Sequence, residues 1–198
     1  MSADDVSKAM AAIKAGVMSV DDYLDQVIAQ VQHTTLPALV VSQFFGSSPS
    51  EAHLTELSAF SATQLDLYTT KGVLDPALGP YEALGVGFSD VSSFANRYGS
   101  MSDSDFIGKA YQDVFGRAAT TNQAQHFAEQ IRYFEQLYGN AGQTATQADL
   151  HAKGAALGQM LGVAVIHEPS LHAYDDAASA FLRSAAKGQA QYGDSIVM

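Results

Sequence analysis

The stretch DSDFIGKAYQDVFGRAATTNQAQHFAEQIRYFEQLYG, residues 103–139, decides the fold class. Gly116 follows Phe115 and Gly139 follows Tyr138. Glycine just past a helix accepts the left-handed backbone that closes the last turn, so the spacing predicts helices over Asp103–Phe115 and Thr121–Tyr138. No sustained two-residue alternation of the kind strands show appears here or elsewhere in the chain.

Working outward, the same grammar recurs. Ser19-Val20-Asp21-Asp22 places acidic groups in a first turn, and Val20, Tyr23, Leu24, Val27, Ile28 and Val31 follow at helical spacing, predicting a helix to about His33. Ser48-Pro49-Ser50-Glu51 reads as a Ser48 cap, Pro at the first helical position and Glu three residues after the cap, with a helix through about Phe60. Asp75-Pro76 opens a Gly-rich segment, residues 76–88, read as a weaker helix, and Asp90–Tyr98 as the next. Thr146–Ile166 carries Gly154, Gly158 and Gly162 every fourth residue, a stripe that lets another helix approach closely. A membrane-active helix is the rival reading, opposed by Asp149, His151 and Lys153. His167-Glu168-Pro169 breaks the chain before a last helix over about Ser170–Lys187. The expectation is an all-α, compact bundle of about eight to nine helices.

An internal duplication is visible. Phe45-Gly46 precedes a capped helix with His53-Leu54-Thr55-Glu56, and Phe115-Gly116 precedes one with His126-Phe127-Ala128-Glu129, at offsets of 70 and 73 residues. The shared unit is a helix–turn–helix with cores near residues 38–60 and 105–138.

Composition narrows the function. With 10 Lys+Arg against 21 Asp+Glu, the net charge of −11 repels phosphate backbones, which argues against nucleic acid. The acidity is compatible with calcium, although a solvated acidic face that keeps the protein soluble is the commoner explanation. There is no Cys, hence no disulfide or thiolate site. The acidic start, Met1-Ser2-Ala3-Asp4-Asp5, lacks the basic and apolar regions of a cleaved export signal, and no apolar run is long enough for a membrane span. Gly193-Asp194-Ser195-Ile196-Val197-Met198 looks like the uncleaved ending of type I secretion substrates, so residues 189–198 are read as a tail carrying that signal.

No nucleophile elbow, phosphate loop, dinucleotide fingerprint or His-Glu-x-x-His motif occurs, and an enzyme is not expected. The pairs His53/Glu56 and His126/Glu129 each share a helix face, and brought together by the duplication they would offer four ligands to a metal or to haem. His167, His172, Asp175 and Asp176 form a second cluster. Surface ion pairs are the simpler account of both, and no cofactor is expected on the leading reading.

Tyr111-Gln112-Asp113-Val114-Phe115-Gly116-Arg117 resembles the Tyr-x-x-hydrophobic-hydrophobic-Gly-Arg signature of helical repeats in secreted bacterial surface proteins, and more loosely that of phycobilisome linker domains. Ser42-Gln43-Phe44-Phe45-Gly46-Ser47-Ser48-Pro49-Ser50 is similar to a segment near the start of Caulobacter-type S-layer proteins. The likeness continues collinearly through the Thr121 helix with Phe134, Asp149–Gly162 and Ala173-Tyr174.

The resemblance implies that residues 35–188 form a helical anchor domain preceded by a helical segment, residues 1–34. It further implies binding to the O-polysaccharide of lipopolysaccharide at a Gram-negative cell surface, with export by a type I secretion exporter. The family's calcium-binding lattice region has no counterpart, since Gly-Gly-x-Gly-x-Asp repeats are missing, so a crystalline layer is not implied and homo-oligomers are left open. Sugar binding needs aromatic faces and flexible polar groups. Tyr98, Tyr111, Arg117, Asn122, Tyr133 and Tyr138, on or beside the second repeat, supply them. Packing of Tyr111 and Tyr133 in the core, and capping of the preceding helix by Arg117, are the competing explanations.

Overall fold

Side-chain caps start five of the helices, those opening at Val20, Glu51, Asp103, Thr121 and Ala145. In the computed structural model, which describes residues 3–47, 49–168 and 173–189, Ser19 accepts from the Asp22 amide at 3.0 Å while Asp22 accepts from the Ser19 amide. Thr120 with Gln123, and Thr144 with Gln147, make the same reciprocal pair. The described residues form ten helices and no strand: α1 (Ala3–Lys14), α2 (Val20–Val31), α3 (Thr35–Phe44), α4 (Glu51–Thr70), α5 (Leu78–Ser89), α6 (Ser92–Tyr98), α7 (Asp103–Phe115), α8 (Thr121–Asn140), α9 (Ala145–His167) and α10 (Ala173–Ala186). The all-α expectation holds; the count is ten instead of eight to nine, because the N-terminal segment breaks at Gly16 into two helices ahead of α3. No helix among the described residues is long and apolar enough to cross a membrane.

Several boundaries differ from expectation, among them the end of α8, which runs through Gly139 to Asn140, with Gly142 as the left-handed glycine beyond it. Ser50, not Ser48, caps α4, its hydroxyl accepting from the His53 amide at 3.3 Å; Pro49 precedes the cap, and Ser48 lies outside the described residues. α4 continues past Phe60 to Thr70, since no Gly or Pro interrupts it before Gly72. Asp90 ends α5, so α6 starts at Ser92.

The core is organised around α5 and α9, which share the most extensive helix contact. A Cβ built on Gly85 would lie 2.2 Å from the Gly154 carbonyl oxygen, and one on Gly158 would lie 2.1 Å from that of Tyr81. The small-residue stripe therefore brings two backbones together inside the protein. Tertiary contact of this kind outweighs the poor helix propensity of Gly79, Pro80, Gly85 and Gly87 and fixes α5 as a helix. α4 and α3 pack on α5, α8 and α7 pack on α9, and α10 covers α3. Residues Leu36 to Phe44 of α3 are all buried, which makes it an interior helix.

The two repeat cores each contain a helix, a left-handed glycine (Gly46, φ +68°; Gly116, φ +65°) and a 20-residue helix. α1 and α2 stand apart: α2 has no buried residue, and Lys187 of α10 pairs with Asp21 of α2 at 3.0 Å, beside an ion pair between Arg183 and Asp25. His172 and the side chains of Asp175 and Asp176, like the tail from residue 190 on, lie outside the described residues.

Candidate functional site

The turn between α7 and α8 builds a groove. Gly116, in the left-handed region, ends α7 and turns the chain so that Arg117 folds back over it, its guanidinium 5.2 Å from the centre of the Tyr111 ring and 5.7 Å from that of Phe115. Those two rings stack on each other at 4.2 Å. The guanidinium is fixed at its edges too. Nη2 donates to both Glu168 oxygens, at 3.0 and 3.2 Å, and Nη1 donates to Gln123 Oε1 at 3.3 Å. Gln123 is itself held by Thr120, whose amide and hydroxyl donate to the same oxygen at 3.0 and 2.9 Å. A helix cap, a cation and the end of α9 are thus one hydrogen-bonded unit.

Beside this unit lies an open groove of about 300 Å³, with Phe127 and Val163 as apolar lining and Asn122, Gln123, His126 and Glu168 as polar groups. Asn122 and His126 are exposed on α8. Burial pushes the Tyr111 hydroxyl above its ordinary range, opposed by the charge of Arg117, so it stays protonated as a donor.

Of the six residues expected to meet glycan, Tyr111, Arg117 and Asn122 gather here. Tyr111 contributes differently from expectation: its ring is 1% exposed, with Arg117 above it, so it supports the groove instead of offering a stacking face. Tyr98 is a second correction. It is fully buried in an aromatic cluster with Phe94 and Phe106, and its hydroxyl donates to Asp113 at 2.8 Å. Burial alone would raise Asp113, but hydrogen bonds from Lys109 and Tyr98 and the charge of Arg97 outweigh it and hold the carboxyl below its usual range. Tyr133 is exposed and Tyr138 half-buried, further along α8; Tyr138 stacks on Phe134 and meets the His151 ring edge to face.

The histidine pairs do not form the four-ligand set. His53, Glu56, His126 and Glu129 are all exposed, and none belongs to a cluster of three or more metal-ligating side chains among the described residues. Glu129 instead accepts from Gln125 at 3.1 Å. His53 and His126 line separate grooves. His167 pairs with Asp75 at 2.7 Å and clamps the end of α9 to the turn before α5.

The ligating atoms of Asp103, Glu135 and Asp149 do converge, all within 4.8 Å of one another. Lys153 supplies a cation there from within the protein. Its buried ammonium lies 2.7 Å from Asp149, 3.8 Å from Asp103 and 2.9 Å from the Met101 carbonyl oxygen.

A further polar chain crosses four helices: the Tyr68 hydroxyl donates to Glu82, Gln159 donates to Glu82 at 3.1 Å, and the Gln159 amide also meets Gln130 at 3.4 Å. Burial raises the Glu82 carboxyl, against the lowering effect of those hydrogen bonds and of Lys71.

Sequence reading missed Gln123, Phe127, Val163 and Glu168, and gave His126 another role. The signals were present in the Thr120/Gln123 capping pattern and in Glu168 at the helix break. A family described as a domain of unknown function (DUF4214) matches residues 86–137, the segment from the end of α5 through most of α8 that contains Tyr111, Arg117, Asn122, Gln123 and His126. No curated protein matches the chain.

Proposed function

We propose that this chain is a noncatalytic protein of the bacterial cell surface that binds envelope polysaccharide, the O-chain of lipopolysaccharide, in the groove between α7, α8 and the end of α9. The observation that carries the reading is the fixed Arg117 plane between Tyr111, Gln123 and Glu168 beside the exposed side chains of Asn122 and His126. Sugar hydroxyls need donors and acceptors that are already positioned, because each pairing replaces one with water and gains little if a side chain must first be ordered. A groove with an apolar lining and several amide, imidazole and carboxylate groups at its edge has that chemistry. With a net charge of −11, the protein favours neutral or amine-bearing sugars over acidic ones.

The collinear S-layer resemblance supports the surface location and export through a type I secretion exporter. The helix–glycine–helix units at Gly46 and Gly116 are read as copies of one ancestral unit, of which the second carries the glycan groove. The test is a pull-down of the purified chain on smooth lipopolysaccharide, with O-chain-deficient material as control. Selective retention on the smooth form, lost in Arg117→Ala, is expected. Equal retention on both forms, or none, removes the reading.

A further inference from the structure

Two consecutive residues at the end of α9 hold two different turns. His167, the last residue of the helix, sets its Nε2 2.7 Å from Oδ2 of Asp75 in the turn between α4 and α5, while Glu168 accepts from Arg117 of the turn between α7 and α8 on both of its oxygens. Asp75 is itself fixed, since its Oδ1 accepts from the Ala77 amide at 3.2 Å. A line of contacts therefore runs from the start of α5 through Asp75, His167, Glu168 and Arg117 to Gln123 in the groove.

The middle of that line is a single peptide. Neighbouring Cα atoms stand about 3.8 Å apart across a planar group, so the end of α9 cannot shift at His167 without moving Glu168. Among the described residues Glu168 is the carboxylate paired with Arg117, and Arg117 supplies the plane over Tyr111 on which the groove depends.

His167 is also the member whose charge changes near neutral pH. Imidazole gains or loses its proton between about pH 5 and about pH 8, whereas carboxylates and guanidinium groups, as classes, keep their charges there. The His167 side chain is 52% exposed, so its proton exchanges with solvent without opening the fold. With the proton on, His167 faces Asp75 as an ion pair and brings a positive charge to the free carbonyl groups of the last turn of α9; with it off, a weaker neutral hydrogen bond is left. Among the described residues, Asp75 is the charged group that meets His167 from another element, and its charged neighbour along the chain, Glu168, is engaged by Arg117.

We infer that the Asp75–His167 pair is a proton-operated latch on the Arg117 groove. Charged, it holds the end of α9 so that Glu168 keeps Arg117 flat over Tyr111; neutral, it loosens that hold and weakens the groove. Both are positioning residues, and the regulation of binding, unlike the latch itself, rests on the polysaccharide reading.

The test has two arms. In the isotope-labelled chain without ligand, the Arg117 Nε–H and His167 ring resonances are followed from about pH 5.5 to about pH 8 and should move with a shared midpoint. In Asp75→Asn the His167 ring should still titrate while the Arg117 movement is lost, and Asp75→Glu should restore part of it. His167→Gln, which keeps a donor but takes no charge, should leave Arg117 unmoved, whereas His126→Gln, which removes the groove's own imidazole, should keep the response. Helicity establishes that each variant folds, and His167→Gln decides if Asp75→Asn does not. In the second arm O-polysaccharide is titrated at both ends of the range; its Kd should be about threefold weaker at the alkaline end, and that difference should shrink in His167→Gln. An Arg117 resonance that does not follow His167, or follows it undiminished in Asp75→Asn, would overturn the latch. An undiminished pH difference in Kd in His167→Gln would overturn the regulation. Polysaccharide that binds at neither pH would remove the groove reading and the regulation with it, while the Arg117 resonance still decides the latch.

Discussion

The backbone of Gly158 in α9 packs on the carbonyl group of Tyr81 in α5, so closely that a Cβ built on Gly158 would stand 2.1 Å from that oxygen. Neither backbone can retreat without opening the interface that organises the core. Gly158→Ala is expected to destabilise the protein by about 3 kcal/mol. Gly162→Ala should cost visibly less, because its Cβ would first meet Cδ2 of Leu78, the end of a side chain that can rotate. Urea midpoints of the two variants give the comparison; equal losses would mean that backbone contact is not what sets the cost.

Gly108 reverses the expectation. It lies inside α7 with open space where its Cβ would be. Gly108→Ala should therefore stabilise the protein by about 0.5–1 kcal/mol, through reduced freedom of the unfolded chain and better helix propensity. A raised melting temperature checks it.

Glu82 predicts a pH dependence. Its folded carboxyl is raised by burial, so the fold favours the protonated form; that contribution is fully present below the unfolded value and is lost as pH rises through the folded one. Glu82→Gln keeps the shape and removes the charge. Relative to the unaltered chain, the variant should gain stability as pH rises above the ordinary carboxylate range and show little gain at the acid end. Urea unfolding at several pH values reads the difference, and a gap that narrows as pH rises would contradict it.

The local signals in the sequence were of unequal strength. The Ser19 cap and the glycine after Phe115 placed helix ends by backbone chemistry that any fold must satisfy, and the structure keeps them where they were expected, whereas Gly139 is helical inside α8 and Gly142 is the left-handed glycine beyond that helix. α3 carries no amphipathic signal because it is buried all round. α5 was weak because its glycines lower helix propensity, and only contact with Gly154 and Gly158 explains them. At the candidate site, the Tyr111-to-Arg117 motif lies on the turn that builds the groove. Glu168, 51 residues beyond Arg117, could not be placed beside it, since that contact depends on how α9 crosses the bundle. Tyr98 was misread for the same reason: an aromatic next to a helix end shows its burial only when Asp113 and Phe106 close around it.

Arg117 separates charge from geometry. Arg117→Lys keeps a cation near Glu168 but loses the plane over Tyr111 and the simultaneous hold on Gln123, so it should lose most of the retention on smooth lipopolysaccharide, about as Arg117→Ala does. Retention by the lysine variant close to that of the unaltered chain would assign the role to charge alone.

The central claim, that the groove beside Arg117 holds polysaccharide, is tested most directly by titrating isolated O-polysaccharide into the isotope-labelled chain and following backbone and side-chain resonances. Saturable shifts concentrated at Asn122, Gln123, His126 and Glu168, with little change at His53 and Gly87, are predicted. Shifts that leave those four residues untouched, or no saturation at all, would contradict it.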